Sequence, residues 1–304
     1  MPPPRDHTLP NPVEGPGDFT TTSTVHNDTY PAISSLNSDL SSKTVLVAGA
    51  SKGIGASIAL SFARAGASQI AIGSRSPQEQ LVKGMKAAAT DAKRPEPAVL
   101  ALSLDVTDQA SVETAAKEVE KAFGKMDIVV FNAGYFAAGK IGEIDPGMWW
   151  RNWEVNIKGL FLVTRSFLPL MLKGEDKTIV TVSSVGAHLR GPAMSGYQTS
   201  KIAQLRLMEF VCAEYADQGI LAYSIHPGNV AGTDIMGGGE LPEYLKHIFV
   251  ESAELSADTI TFLTREKRHW LAGRYVNCTW DMPELMKMER EIVKDDKLKL
   301  KLAL

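Results

Sequence analysis

Tyr197 and Lys201 stand four residues apart at the head of a segment in which Leu205, Met208 and Cys212 recur with helical spacing, so the phenol and the amine share one helix face. A phenol beside an amine can pass a proton to or from an oxygen atom held next to it. Its ordinary pKa of about 10 makes it a poor base at neutral pH, and a neighbouring ammonium favours the phenolate and lowers that value. Such a pair arises easily by chance, and its weight comes from where it sits. The run Ile179-Val180-Thr181-Val182-Ser183-Ser184 reads as a strand ending in two hydroxyls, with Ser184 thirteen residues before Tyr197. In an open α/β sheet, ligands bind beyond the carboxyl ends of the strands, where Ser184 falls. Ser184, Tyr197 and Lys201 could therefore hold a carbonyl or hydroxyl oxygen and move its proton. That is the part left to a protein when a cofactor carries the hydride.

A second group has the residue types that hold a nucleotide. Gly49-Ala50-Ser51-Lys52-Gly53-Ile54-Gly55 follows an apolar run and leads into Ile54, Ile58 and Phe62, spaced every four residues. Strand, glycine-rich turn and helix in this order bring backbone N–H groups and the positive end of the helix up to a pyrophosphate. About 20 residues further on, at the end of the next strand, NAD enzymes place an acid on the ribose 2′-hydroxyl. Here the chain reads Ile72-Gly73-Ser74-Arg75-Ser76, without an acid. Arg75 can pair with a 2′-phosphate and Lys52 adds a second positive charge, so the expected cofactor is NADP(H).

The elements that must position these groups alternate in type. Short β-branched runs predict strands at Thr44–Ala48, Gln69–Gly73, Val99–Leu104, Ile128–Asn132, Thr178–Ser183, Leu221–Ile225 and Tyr275–Asn277, with helical periods between them. Val112, Ala116, Val119 and Phe123, for example, fall on one helix face. The alternation predicts an α/β fold: a doubly wound parallel Rossmann sheet of about seven strands with helices on both faces. Segments 148–172 and 197–216 are long and apolar enough to be buried further, against a second subunit.

At this point the chain resembles the short-chain dehydrogenase/reductase family, in its shorter single-domain branch. The resemblance rests on the Gly49–Gly55 turn, Asn132-Ala133-Gly134, Asn156, and Ser184 with Tyr197 and Lys201, and it covers about residues 42–280. It implies that Asp105 and Val106 flank the adenine, and that Asn132 and Gly134 steady the central strand and cofactor. It implies too that Asn156 holds a water in a proton relay to Lys201, and that Pro227-Gly228 lies beside the nicotinamide. The departures are Ala48, where the family has Thr, and Val230-Ala231-Gly232-Thr233, which puts Thr233 one residue later than the family's carboxamide contact. Ser51, Gly53, Ile54, Ser74 and Val230 complete the expected cofactor contacts. The expected activity is interconversion of a ketone or aldehyde with an alcohol on a mostly apolar small molecule. A non-redox enzyme on the same fold, or a nucleotide sensor without turnover, are the rival readings. The tail Trp270–Val276 with Trp280-Asp281 resembles that of fungal short-chain reductases, some of which act in secondary metabolism.

Substrate selection is expected in the loop from Asn229 to about Glu251, with Gly237-Gly238-Gly239 as a hinge or mobile lid, or equally a plain flexible loop. Tyr135, Phe136, His188, Leu189, Met194 and Tyr244 are further wall candidates. Residues 1–40, rich in Pro, Thr, Ser, Asn and Asp, predict a flexible arm, and residues 41–304 a single domain. A net charge of -3 with dispersed Lys and Arg argues against nucleic acid. Two cysteines, Cys212 and Cys278, offer no disulfide framework or metal ligand set, and fit a reducing, cytoplasmic location. No stretch approaches the roughly 18 uninterrupted apolar residues of a membrane span. The resemblance implies a homodimer or homotetramer.

Overall fold

The computed structural model describes residues 8–233, 235 and 242–302, with Tyr244 as backbone only. Its strands are β1 (Thr44–Ala48), β2 (Gln69–Ser74), β3 (Ala98–Ser103), β4 (Ile128–Phe131), β5 (Thr178–Val182), β6 (Leu221–His226) and β7 (Tyr275–Asn277). No strand end differs from the sequence expectation by more than one residue. They form one seven-stranded sheet in the order β3-β2-β1-β4-β5-β6-β7, and every pairing is parallel.

All the strands but β3 are buried along nearly their whole length because both faces of the sheet are covered there, while β3, at the edge, buries only Leu102. Val45 and Val47 of β1 join a core with Ile58 and Phe62 of α1 (Gly53–Arg64), Met85 of α2 (Glu79–Asp91), and Leu255 and Ile260 of the helix Ala253–Thr264. Leu46 and Ala48 point the other way, into a core with Val112 and Val119 of α3 (Gln109–Phe123), Phe167 of α5 (Gly159–Leu172) and Met208 of α6 (Ser195–Tyr215). The chain leaves β1 toward β2 on one side and returns through β4 on the other. The crevice where ligands bind in such sheets thus opens at the carboxyl ends of β1 and β4.

The stretch expected as one long helix has a break in its winding. α4 (Pro146–Trp153) passes into a π-helical turn at Glu154–Lys158 and then into α5. Taken as one run, Pro146–Leu172 is long and apolar enough by composition to cross a membrane, although charged residues interrupt it. Just over half of its most apolar window is buried inside the protein, where Leu160, Val163 and Phe167 pack on the sheet.

The expectation of a flexible arm is corrected by residues 8–40, which fold against the domain. Ile33 and Leu40 are fully buried, and a short helical turn forms at Ser35–Asn37. Val25 bridges antiparallel to Trp280, and Arg94 donates to the Ser38 carbonyl at 2.8 Å. Composition misleads because the polar side chains of this segment bond to the protein rather than to water. Thr29 donates to buried Asp258 at 2.7 Å, and Asp18 accepts from Asn277 at 3.1 Å.

Candidate active site

β1 delivers the chain to the glycine turn at the switch point. Gly49 has φ +90°, and a Cβ there would lie 2.5 Å from the Ala133 nitrogen, so neither the conformation nor the space admits a side chain. A Cβ on Gly55 would lie 2.0 Å from the Gly49 carbonyl oxygen, which accepts from Asn132 Nδ2 at 2.7 Å. The turn is thereby locked to the end of β4. Lys52, exposed, stands at the N-cap position of α1 with no side-chain bond to the helix, and Gly53 opens it, so the first backbone N–H groups have no intrahelical partner. Ser51 and Ile54 are half-buried beside them. Thr233 Cγ2 lies 3.8 Å from the position a Gly53 Cβ would take, so Thr233 stands across the turn despite its late place in the sequence.

Ser74 ends β2 buried, its hydroxyl on the Ser76 carbonyl at 2.7 Å, and Arg75 follows exposed. Burial pushes the Asp105 carboxyl up. Two hydrogen bonds from Thr107, with the charges of Arg75 and Arg151, outweigh that and hold its pKa below the ordinary value. Val106, buried, packs against Gly159, where a Cβ would meet it at 2.8 Å. Arg75 thus lies near enough to Asp105 for its charge to act there.

The reactive group gathers at the carboxyl end of β5. Ser184 follows the strand, accepts from the Gly186 N–H at 3.0 Å and hydrogen-bonds the Tyr197 phenol. Lys201, 2% exposed, donates from Nζ to the Val182 carbonyl at 3.0 Å and lies 5.6 Å from the centre of the Tyr197 ring. Ser183 Oγ donates to the Lys201 carbonyl at 3.1 Å, a second tie between β5 and α6. The expected lowering of the Tyr197 pKa by Lys201 is not seen. Burial raises the phenol above its ordinary value against the opposing bond from Ser184, and burial brings Lys201 down to about 7. The reason is that the lysine is itself desolvated and carries only part of a charge at neutral pH.

Asn156 sits in the π-helical turn, a feature common at functional sites. Its side chain clamps the Tyr135 backbone, accepting from the N–H at 2.9 Å and donating to the carbonyl at 3.0 Å. It also donates to Ser200 Oγ at 2.9 Å, and Ser200 in turn donates to the Tyr197 carbonyl at 2.7 Å. Its main-chain carbonyl accepts from Gln204 Nε2 at 2.9 Å. Gln204, buried one turn after Lys201, was missed in the sequence because nothing local marks it. A Gly134 Cβ would lie 3.9 Å from Asn156 Oδ1, which places Gly134 at the same junction.

The loop after β6 carries Pro227, Gly228 and Val230, all buried. A second missed residue, Glu251, is 2% exposed and accepts the Asn229 N–H at 2.7 Å, while its stem packs over Gly228. Val230 and Glu251 also form a parallel bridge, which closes the expected substrate loop at both ends. Gly237-Gly238-Gly239 and the Tyr244 side chain lie outside the described residues. Of the other wall candidates, Phe136 meets the Tyr197 ring edge-on at 5.0 Å, and His188 meets Tyr275 edge-on at 4.5 Å. Tyr135, Leu189 and Met194 are half-buried near them in the chain. The described residues contain no group of three or more metal-ligating side chains.

This arrangement agrees with what is known of other proteins. A family model described as short chain dehydrogenase matches residues 43–240. The short chain dehydrogenase pigC of Monascus ruber is 54% identical over 303 residues, 99% of each chain. The short chain dehydrogenase mpl6 of Monascus purpureus is 51% identical over 94% of this chain and 97% of its own. Among solved structures, an alcohol dehydrogenase of the archaeon Thermococcus sibiricus, complexed with 5-hydroxy-NADP, is 25% identical with a TM-score of 0.63. It covers 74% of this chain and 91% of its own.

Proposed function

Because the chain belongs to the short-chain dehydrogenase family, we propose that it is an oxidoreductase interconverting a carbonyl and an alcohol on a mostly apolar small molecule with NADP(H). The observation that carries this reading is the convergence of Ser184, Tyr197 and Lys201 at the end of β5, beside the locked glycine turn. Gly49 and Gly55 let the turn close tightly on the end of β4 and on itself before it enters α1, whose first backbone N–H groups suit a pyrophosphate, and Arg75 with Lys52 supports the 2′-phosphate form. When bound, the nicotinamide supplies or accepts the hydride.

The chain's own residues do the rest. Ser184 Oγ donates to the substrate oxygen and steadies the charge gathering there. In reduction Tyr197 Oη gives its proton to that oxygen, and in oxidation it takes the proton back. Lys201, when protonated, lowers the cost of the phenolate left behind. Asn156 holds the Tyr135 backbone and, through Ser200, the first turn of α6, so that Tyr197 keeps its place. Its relay through a water to Lys201 is part of the same proposal.

Exposed Phe161 of α5 and Ile202 and Phe210 of α6 support a dimer or tetramer built on these helices. The free thiols Cys212 and Cys278 support a cytoplasmic location, and a role in secondary metabolism, which rests on the tail Trp270–Val276 with Trp280-Asp281, is part of the same proposal. A panel of ketones, aldehydes and secondary alcohols, followed by nicotinamide absorbance with each of the two cofactors, tests the reading. Turnover with NADPH supports it, and no turnover across the panel with either cofactor overturns it.

A further inference from the structure

The N-terminal segment reaches the reactive end of the sheet. From the bridge between Val25 and Trp280, it runs back along the residues that follow β7. His26 N–H donates to the Thr279 carbonyl at 2.7 Å, and Trp280 Nε1 donates to the carbonyls of Gly17 and Asp18 at 3.1 and 3.0 Å. Asp18, buried, is the anchor: Oδ1 accepts from Asn277, the last residue of β7, at 3.1 Å, and Oδ2 accepts the Gly15 N–H at 2.5 Å. The small loop so formed presses Gly15 onto Val185, the residue after Ser184, where a Cβ on Gly15 would lie 2.7 Å from Val185 Cγ2. Val185 opens the turn whose Gly186 packs on the Tyr197 ring, a Cβ there lying 3.3 Å from Cε1.

The same segment also touches the far border of the cleft. The Pro10 carbonyl meets His247 Nε2 at 3.0 Å, and Asp28 accepts from Ser252 Oγ at 2.6 Å, next to Glu251. It therefore spans from the Ser184 turn to the end of the substrate loop. Pro10, Pro12 and Pro16 fix φ at three points along this stretch, which makes it a stiff span.

We propose that residues 10–19 form the outer wall of the substrate cleft and set the size of molecule it admits, an inference that rests on the carbonyl–alcohol reading above. A segment that merely braced the fold would contact the tail after β7. This one also bears on the residue beside the reactive serine and on the opposite lip.

Gly15→Ala in the full chain puts a methyl group into Val185 and displaces the wall, and Val185→Ala makes room for it. Ketones of increasing bulk are compared by kcat and KM in wild type, each single variant and the double variant. For the bulkiest ketones, Gly15→Ala is expected to change kcat/KM by about tenfold or more while the smallest ketone is untouched, as pocket contacts allow. The double variant should return toward wild type. An unchanged ladder in folded, active Gly15→Ala, or an equal change for every ketone, overturns the proposal. Should wild type turn over no carbonyl, the activity reading fails on its own, and hydrogen exchange then decides the wall. Faster exchange at residues 184–190 and 245–249 in Gly15→Ala supports it, and unchanged exchange overturns it.

Discussion

Lys201 Nζ donates to the Val182 carbonyl at 3.0 Å from a buried position, with burial as the influence that brings its pKa down to about 7. The lysine that is to favour a phenolate on Tyr197 is thus poised between charged and neutral at physiological pH. Folding holds it there at a cost.

That cost is measurable. Below about pH 7 Lys201 is charged in both folded and unfolded chains, and folding bears the full desolvation. Between about 7 and the ordinary lysine value of 10.5, the unfolded chain keeps a proton that the folded chain has shed, so stability rises with pH, and above that window the cost is gone. Lys201→Met is therefore expected to melt higher than wild type at pH 6, with the gap narrowing toward pH 10. Thermal denaturation of cofactor-free protein across this range checks it. A gap that widens with pH contradicts it.

Tyr197→Phe removes one hydroxyl and keeps the ring that packs on Phe136. The rate of hydride transfer should fall by about 10²- to 10⁴-fold, the usual weight of general acid–base catalysis, with cofactor affinity near wild type. Ser184→Ala should lose about 10²-fold or more through the missing contact to the substrate oxygen. Single-turnover rates beside cofactor titration separate the two effects, and near-normal transfer in Tyr197→Phe would mean that a group other than Tyr197 supplies the proton.

Arg75→Asp places a carboxylate at the exposed end of β2, next to Asp105. NADPH affinity should drop by about tenfold to a hundredfold, the range of a charge-assisted hydrogen bond, while NADH affinity holds or improves. Equal affinity of the unmodified protein for both cofactors is the result that sinks the NADP(H) assignment.

Asn156→Ala breaks the clamp on the Tyr135 backbone and frees Ser200. Buried groups left without partners cost about 1–3 kcal/mol each, so both the melting temperature and the turnover rate should fall. Asn156→Asp keeps the acceptor for the Tyr135 N–H but turns a buried carboxylate oxygen on the Tyr135 carbonyl that the amide donates to, so it should be no more stable than Asn156→Ala.

Ile33→Ala tests whether the N-terminal segment belongs to the fold. Truncating a fully buried isoleucine should destabilise by about 2–5 kcal/mol in chemical denaturation. A loss near zero would restore the flexible arm that the composition of residues 1–40 suggested.

The sheet was legible because a strand buried on both faces, such as β1 with Val45, Leu46 and Val47, must be apolar throughout, and its neighbours share that rule. Ser184, Tyr197 and Lys201 were legible because strand end and helix start fix their spacing. The N-terminal segment was not. Its few apolar anchors, Ile33 and Leu40, are scattered among polar residues whose partners, Asn277 and Asp258, lie more than two hundred positions away. Glu251 and Gln204 were hidden for the same reason, since the backbone groups they serve, at Asn229 and Asn156, are brought to them only by the fold.

The π-helical turn at Glu154–Lys158 carries one residue more than an α-helical turn would, and each residue advances an α-helix by about 100°. The aromatic stripe of Trp149, Trp150 and Trp153 and the sheet-facing stripe of Leu160, Val163 and Phe167 are consequently out of phase across it. Deleting a single residue there would heal the winding and re-index everything on one side. Asn156 would swing away from Tyr135, or α5 would roll its apolar stripe off the sheet, so in this stretch the number of residues is as constrained as their identity.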